Sequence, residues 1–285
     1  MKVWVTGSSG QVGHTLLSLL QSKGIDCFGT AHCQADIADE RAVLSFAKGV
    51  THIINAAACS QVDFAEMNRE VAYQANAIGP AVLASAAYAL GIRFLHISTD
   101  YVFDGALGRP YREDDIPNPL NWYGMTKRAG ELKVLELCPH ACIVRTSWVF
   151  GGKGERHYVA QVLDLVRQKK ELCFVDDQIG RPTYALDLAE GLVLLLDASG
   201  IYHYSNQGEL SKHAFAEAVW QWAKQNGRPV LCEQIVPIAS SAFSAAARRP
   251  LYTPLDTEKI EQILPIRSWQ EAFTAYLTLQ HPVLS

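Results

Sequence analysis

No stretch of this 285-residue chain is apolar for long enough to cross a bilayer; the longest runs, such as residues 191–196, fall far short of the ~20 residues a spanning helix needs. Neither sign of charge dominates. Lys and Arg number 25 against 29 Asp and Glu, a net charge of −4, so nothing draws the chain to nucleic acid or to an anionic membrane. Seven cysteines are scattered at positions 27, 33, 59, 138, 142, 173 and 232 and form no Cys-x-x-Cys or Cys/His cluster. No metal site is therefore expected, and buried free thiols in a reducing cytoplasm are. Internal repeats, low-complexity segments and long linkers are also missing. Met1-Lys2 leads directly into the strand-like Val3-Trp4-Val5, so no signal peptide is expected. What remains is an ordinary globular composition, 49% apolar and 19% charged, long enough for one large α/β domain or one with a smaller attached lobe.

The first strand runs into Thr6-Gly7-Ser8-Ser9-Gly10-Gln11-Val12-Gly13, and a helical pattern follows from Thr15. Between a strand and a helix, Gly7, Gly10 and Gly13 permit a tight turn, close approach of a pyrophosphate, and close packing of helix on strand. The first-turn N–H groups then face the anion. Cys27-Phe28-Gly29-Thr30 reads as a second strand, ending in Thr30-Ala31-His32. That end carries no acid for a ribose 2′-hydroxyl and no arginine for a 2′-phosphate; NADPH is favoured, with NADH left open. Asp36, followed by Ile37, suits either the adenine end of a cofactor or a cap, and Asp39 suits the N-cap of a helix over 40–48. A third strand, 51–55, ends in the small residues Ala56-Ala57-Ala58-Cys59-Ser60, where a ligand can lie against the backbone. Helices are predicted over 62–67 and 71–89. Asn76, inside the second, is either buried and bonded or solvated.

A fourth strand, 93–97, ends in Ser98-Thr99-Asp100-Tyr101, hydroxyls well placed for a substrate oxygen. After a Pro/Gly/Asp-rich excursion over 105–121 comes Tyr123-Gly-Met-Thr-Lys127. Spacing of i, i+4 puts the phenol and the amine on one helical face. A neighbouring ammonium favours the phenolate, so Tyr123 is expected to be a proton donor tuned toward neutral pH by Lys127. A fifth strand, 141–145, precedes Trp148, which is either core or an apolar wall for a sugar ring. Alternating strands and helices to this point argue a parallel, doubly wound sheet. Beyond Gly151 helices are predicted over 159–167, 185–196, 213–225 and 269–279, with strands near 172–175, 201–204 and 233–236. Arg248 and Arg249 suit a diphosphate or a solvated loop equally.

Taken together, these motifs resemble the extended short-chain dehydrogenases/reductases, and within them the dTDP-4-dehydrorhamnose reductases. The broad likeness rests on Thr6-Gly7, Gly10, Gly13, Asn55-Ala56-Ala57, Tyr123 and Lys127. The narrow one rests on Gly10-Gln11-Val12-Gly13, Ser98-Thr99-Asp100-Tyr101-Val102-Phe103, Pro119-Leu120-Asn121, Arg145-Thr146-Ser147-Trp148-Val149-Phe150, Gly180-Arg181-Pro182-Thr183 and Ala247-Arg248-Arg249-Pro250. The resemblance implies a Rossmann-type sheet over 1–150, with later segments returning to it, and a smaller C-terminal substrate-binding lobe mainly over 151–285. It implies that Tyr123 donates the proton, that Lys127 is its partner and a ribose contact, and that Thr99 orients the substrate carbonyl. Gln11 and Val12 would lie at the cofactor phosphates, Asp36 and Ile37 near the adenine, and Ala58, Cys59 and Ser60 toward the nicotinamide. Thr99, Asp100, Tyr101 and Trp148 would contact a dTDP-sugar, with Arg248 the candidate for its diphosphate.

Some relatives dimerise through a magnesium ion held by glutamates; the corresponding first-helix position is Thr15 here, so no metal is carried over, and a monomer or homodimer is expected. The implied reaction is reduction of a C4 ketone for surface polysaccharides such as O-antigen. Two other functions fit the scaffold. An epimerase or dehydratase would keep NAD bound, but dehydratases place an acid pair where this chain has Asp100 and no following Glu. A non-catalytic subunit resembling the regulatory β subunit of methionine adenosyltransferase would share Tyr111-Arg112-Glu113 and the Tyr-Gly-x-Thr-Lys run, but is not expected to keep Trp148.

Overall fold

Short apolar runs separated by amphipathic helices pair into one parallel sheet in the computed structural model, which describes residues 1–152, 157–242 and 244–280. The chain begins β1 (Lys2–Thr6), α1 (Gln11–Ser22), β2 (Asp26–Thr30), α2 (Glu40–Ala47) and β3 (His52–Asn55). It continues α3 (Val62–Met67), α4 (Arg69–Tyr73), a π-helical turn (Gln74–Ile78), α5 (Gly79–Leu90), β4 (Arg93–Thr99), α6 (Trp122–Leu137) and β5 (Cys142–Thr146). The later part runs β6 (Val149–Phe150), α7 (Tyr158–Gln168), β7 (Glu171–Val175), β8 (Ile179–Gly180), β9 (Thr183–Tyr184), α8 (Ala185–Leu194) and β10 (Gly200–Tyr204). It ends β11 (Leu210–Ser211), α9 (Lys212–Gln225), β12 (Gln234–Ile238), α10 (Glu258–Glu261) and α11 (Trp269–Gln280).

The main sheet has the order β10-β5-β4-β3-β1-β2, every neighbouring pair parallel. Strands covered on both faces read as continuous apolar runs, and β3 and β5 are buried throughout. On one face Trp4, Ile53, Phe94 and Ile143 pack with Val43, Ala47, Leu83 and Ala87 of α2 and α5. On the other, Val3, Val5, Ile54 and Val144 pack with Leu16 and Leu20 of α1 and Leu188 and Leu192 of α8. A separate core of Phe150, Val159, Val162, Phe215, Val219 and Phe273 joins α7, α9 and α11. Strand order reverses between β2 and β3 about β1, and the crevice beyond the carboxyl ends of β1 and β3 is where such sheets take ligands.

Asp39 caps α2 as expected, its Oδ1 accepting from the N–H groups of Arg41 and Ala42. Two expectations need correction. The helix predicted over 71–89 runs without a gap from Arg69 to Leu90, but not as one regular α-helix, because its turn at Gln74–Ile78 widens to π geometry around the buried Asn76. The seven thiols are free, but Cys33 and Cys173 are exposed and only Cys138, Cys142 and Cys232 are fully buried.

Candidate active site

The turn after β1 is shaped by its glycines. Gly7 sits at φ 66°, and a Cβ there would fall 2.6 Å from the Ala57 backbone; one on Gly13 would fall 2.3 Å from the Gly7 carbonyl. No side chain caps α1 at Gly10, and its first turn holds no acid, so its leading N–H groups stay available to an anion. Above them opens a cavity of about 530 Å³, lined by Gly7, Gly10, Asp36, Ile37 and Ala56 through Cys59. These residues fit a dinucleotide: small side chains where the ligand lies against backbone, and unpaired amides where its phosphates would lie. Gln11 and Val12 occupy the first turn of α1, but the Gln11 side chain donates to the Gly151 carbonyl at 2.7 Å. Ser60 is exposed and lies outside the lining. Asp36 serves both expectations: it lines the cavity, and its carboxylate accepts from Ala38 N–H at 2.9 Å. Asn76 is bonded rather than solvated. It accepts from Cys59 N–H at 2.8 Å and donates to the Cys59 carbonyl and Thr126 hydroxyl, both at 3.1 Å, fixing the loop that lines the cavity.

Asn121 starts α6 by accepting from Gly124 N–H at 2.9 Å. Tyr123 then lies in the first turn, edge-on to Tyr101 with ring centroids 5.9 Å apart. Helix α6 can lie this close only because Gly124 has no Cβ, which would meet the Tyr101 carbonyl at 2.1 Å. Thr99, at the end of β4, donates to Asp100 Oδ1 at 3.1 Å and accepts from Tyr101 N–H at 3.2 Å. The expected priming of Tyr123 by Lys127 is not found, because the amine is engaged by the Ile97 carbonyl rather than by the phenol. Burial pushes the phenol up to about 12, with the adjacent Thr99 hydroxyl pulling the other way and Asp100 and Cys59 adding to the rise. Lys127 is buried, and its ammonium donates to the Ile97 carbonyl at 2.6 Å, with His96 Nε2 at 3.4 Å. Burial pulls it down to about 8, against the nearby Glu131. Helical spacing fixed the face these two residues share, but not the direction of a long, flexible amine.

A second cavity, about 1030 Å³, lies between the loop that follows β4, at residues 104–106 and Leu120, and the later segments, lined by apolar residues such as Phe174 and Val175 and by Lys212, Arg248 and Arg249. Trp148 is half-buried and holds the positive φ of 46°, a strained backbone for a non-glycine residue. Its indole packs against Gly180, where a Cβ would fall 2.6 Å from the ring, and the Lys212 ammonium sits 3.3 Å from the ring centroid. The carboxylate of Asp100, expected to meet substrate, is instead buried and accepts from Thr253 at 2.7 Å as well as from Thr99. Burial raises it to about 6 against those hydrogen bonds and the charge of Lys212. Burial also brings Lys212 down to about 7, opposed by Asp100. Sequence reasoning missed Lys212, Thr253 and Asp63, whose partners are remote in the chain. Asn121, ahead of a helical run, carried an N-cap signal that went unused. Among the described residues no cluster of His, Cys, Asp and Glu could hold a metal ion, and no helix is long and apolar enough to cross a membrane.

The sequence profile of a family described as "RmlD substrate binding domain" matches residues 1–281. The dTDP-4-dehydrorhamnose reductase of Mycobacterium tuberculosis is 36% identical over 282 residues, 96% of this chain and 91% of that protein. The spore coat polysaccharide biosynthesis protein SpsK of Bacillus subtilis is 39% identical, covering 97% of this chain and 96% of its own. The crystal structure of dTDP-4-dehydrorhamnose reductase from Bacillus anthracis in complex with NADP superposes with a TM-score of 0.92 at 34% identity, over 98% of this chain and 99% of that one.

Proposed function

We propose, for a chain that belongs to the RmlD substrate binding domain family, the NADPH-dependent reduction of the C4 ketone of dTDP-4-dehydro-β-L-rhamnose to dTDP-β-L-rhamnose in the cytoplasm. The observation that carries this reading is Tyr123 in the first turn of α6, its ring edge-on to Tyr101 and its phenol beside the Thr99 hydroxyl at the end of β4. The sheet half takes the cofactor, and the lobe built on α7, α9 and α11 closes over the sugar nucleotide. When bound, NADPH supplies a hydride to C4.

The chain's own residues do the rest. Thr99 turns its hydroxyl to the carbonyl oxygen and holds it in line. Tyr123, neutral at every physiological pH because burial raises it to about 12, gives its proton to the oxygen as the alkoxide forms there. Lys127, one helical turn on with its ammonium held by the Ile97 carbonyl, meets the cofactor ribose and keeps a buried positive charge in the site without touching the phenol. Trp148 walls the sugar, and Arg248, exposed in the cavity, takes the diphosphate. Asp100 is buried and bonded to Thr253, and the residue after it is Tyr101, so the acid pair that a dehydratase needs is missing.

The test is loss of reduced-nicotinamide absorbance when the protein meets the keto-sugar. Wild type is expected to consume NADPH stoichiometrically. Tyr123→Phe is expected to lower kcat by ~10²–10⁴-fold while NADPH and dTDP still bind. Tightly held NAD with no net NADPH consumption, or an inactive protein that captures a partner enzyme, would sink this assignment.

A further inference from the structure

Two sequence motifs far apart in the chain, Pro119-Leu120-Asn121 and Ala247-Arg248-Arg249-Pro250, meet through one amide. Asn121 is 3% exposed. Its Oδ1 accepts from Gly124 N–H at 2.9 Å and so caps the helix that carries Tyr123. Its Nδ2 donates to the backbone carbonyl of Arg248 at 2.8 Å, across 127 positions of chain. The two partners fix the orientation of the amide, since an N–H must face an acceptor and a carbonyl must face a donor. Serine, threonine or aspartate would cap the helix as well. A hydroxyl can also accept and donate, but from a single atom close to the backbone; the longer, branched amide does so from two separate atoms and spans both partners.

The same arm is gripped from its other side. Asp63 of α3 accepts from Ala247 N–H at 3.0 Å, and its two oxygens take both terminal nitrogens of Arg249 at 2.6 Å. Arg249 is thereby committed to the protein. Arg248 is exposed, lines the larger cavity, and makes no ion pair among the described residues.

We propose that Asn121 is a positioning residue that brackets Arg248 against the cap of the catalytic helix, so that the anion-binding guanidinium and the proton donor keep a fixed separation. This rests on the reading of Arg248 as the diphosphate ligand. Fixing a charged arm before binding lowers the ordering cost of association, so the bracket acts on affinity for the nucleotide and leaves the chemical step alone.

The experiment measures dTDP binding by calorimetry, NADPH binding separately, and steady-state kinetics with the keto-sugar. Asn121→Ser keeps a cap with a side chain too short to reach the Arg248 carbonyl as well, and Asn121→Asp keeps a cap and puts an acceptor where the donor was. Each is expected to raise the Kd for dTDP and the KM for the keto-sugar about tenfold, the worth of one buried hydrogen bond, with kcat and NADPH affinity held. Adding Asn121→Ser to Arg248→Ala is expected to weaken dTDP binding no further than Arg248→Ala alone, because the amide works through that arginine. Additive losses, or wild-type dTDP affinity in either Asn121 variant, would overturn the bracket. Should Arg248→Ala alone bind dTDP normally, the diphosphate reading itself falls and the bracket with it. If the serine variant melts early, the isosteric aspartate carries the comparison.

Discussion

Lys127 is an expensive residue in its position. Its ammonium is buried with one short bond to a backbone carbonyl and a longer one to His96, and a desolvated charge so thinly paired costs stability. Lys127→Met is expected to melt no lower than wild type while turnover falls by ~10²-fold or more, checked by calorimetry beside the NADPH assay. The pH dependence has a definite sign. Folding lowers this lysine to about 8, so the unfolded chain holds the extra proton between that value and the ordinary lysine range. The penalty is complete below pH 8 and fades as pH rises above it, so the stability advantage of the methionine variant should shrink in alkaline buffer. The i, i+4 spacing of Tyr123 and Lys127 was legible in the sequence. The turn of the amine toward Ile97 was not, because nothing local to the helix determines it.

Helix α6 is held at a shorter distance than ordinary side chains allow. A Cβ on Gly130 would lie 2.1 Å from the Asn76 carbonyl, so the π turn and α6 meet backbone to backbone. Inside that contact Asn76 ties the Cys59 loop to Thr126, whose hydroxyl donates to the Tyr123 carbonyl at 2.9 Å. The π turn thus joins the cofactor loop to the catalytic helix. Asn76→Ala would strand the Cys59 amide and carbonyl, and is expected to cost ~1–3 kcal/mol in denaturant unfolding and to raise the KM for NADPH. An alanine-rich run over 71–89 predicts one continuous helix from propensity, which the chain forms, and only the remote partners of Asn76 reveal its widened turn. The glycine loop, the small residues after β3 and the cap at Asp39 rest on local signals, and for that reason they were readable.

Across the whole molecule the parallel, doubly wound sheet follows from alternating strands and helices, and it is what the structure has. The sequence pattern loosens after Gly151 because the chain has left the sheet, builds β7 to β9, and then returns. Leu188 and Leu192 of α8 are buried in the same cluster as Leu16 and Leu20 of α1, and β10 pairs along the full length of β5. A fragment ending at residue 150 would expose that apolar face and one edge of β5. It is expected to show no sharp thermal transition by circular dichroism, where the intact chain melts cooperatively.

The late arrival of β10 also matters during synthesis. A nascent chain that has left the ribosome only as far as Leu196 already carries β1 to β5, yet the border of β5 still offers a row of unanswered amides and carbonyls. Until eight more residues emerge, that border can recruit a strand from a neighbouring polypeptide as readily as its own. Slow translation through this interval would make the protein a client of chaperones that shield open sheet margins.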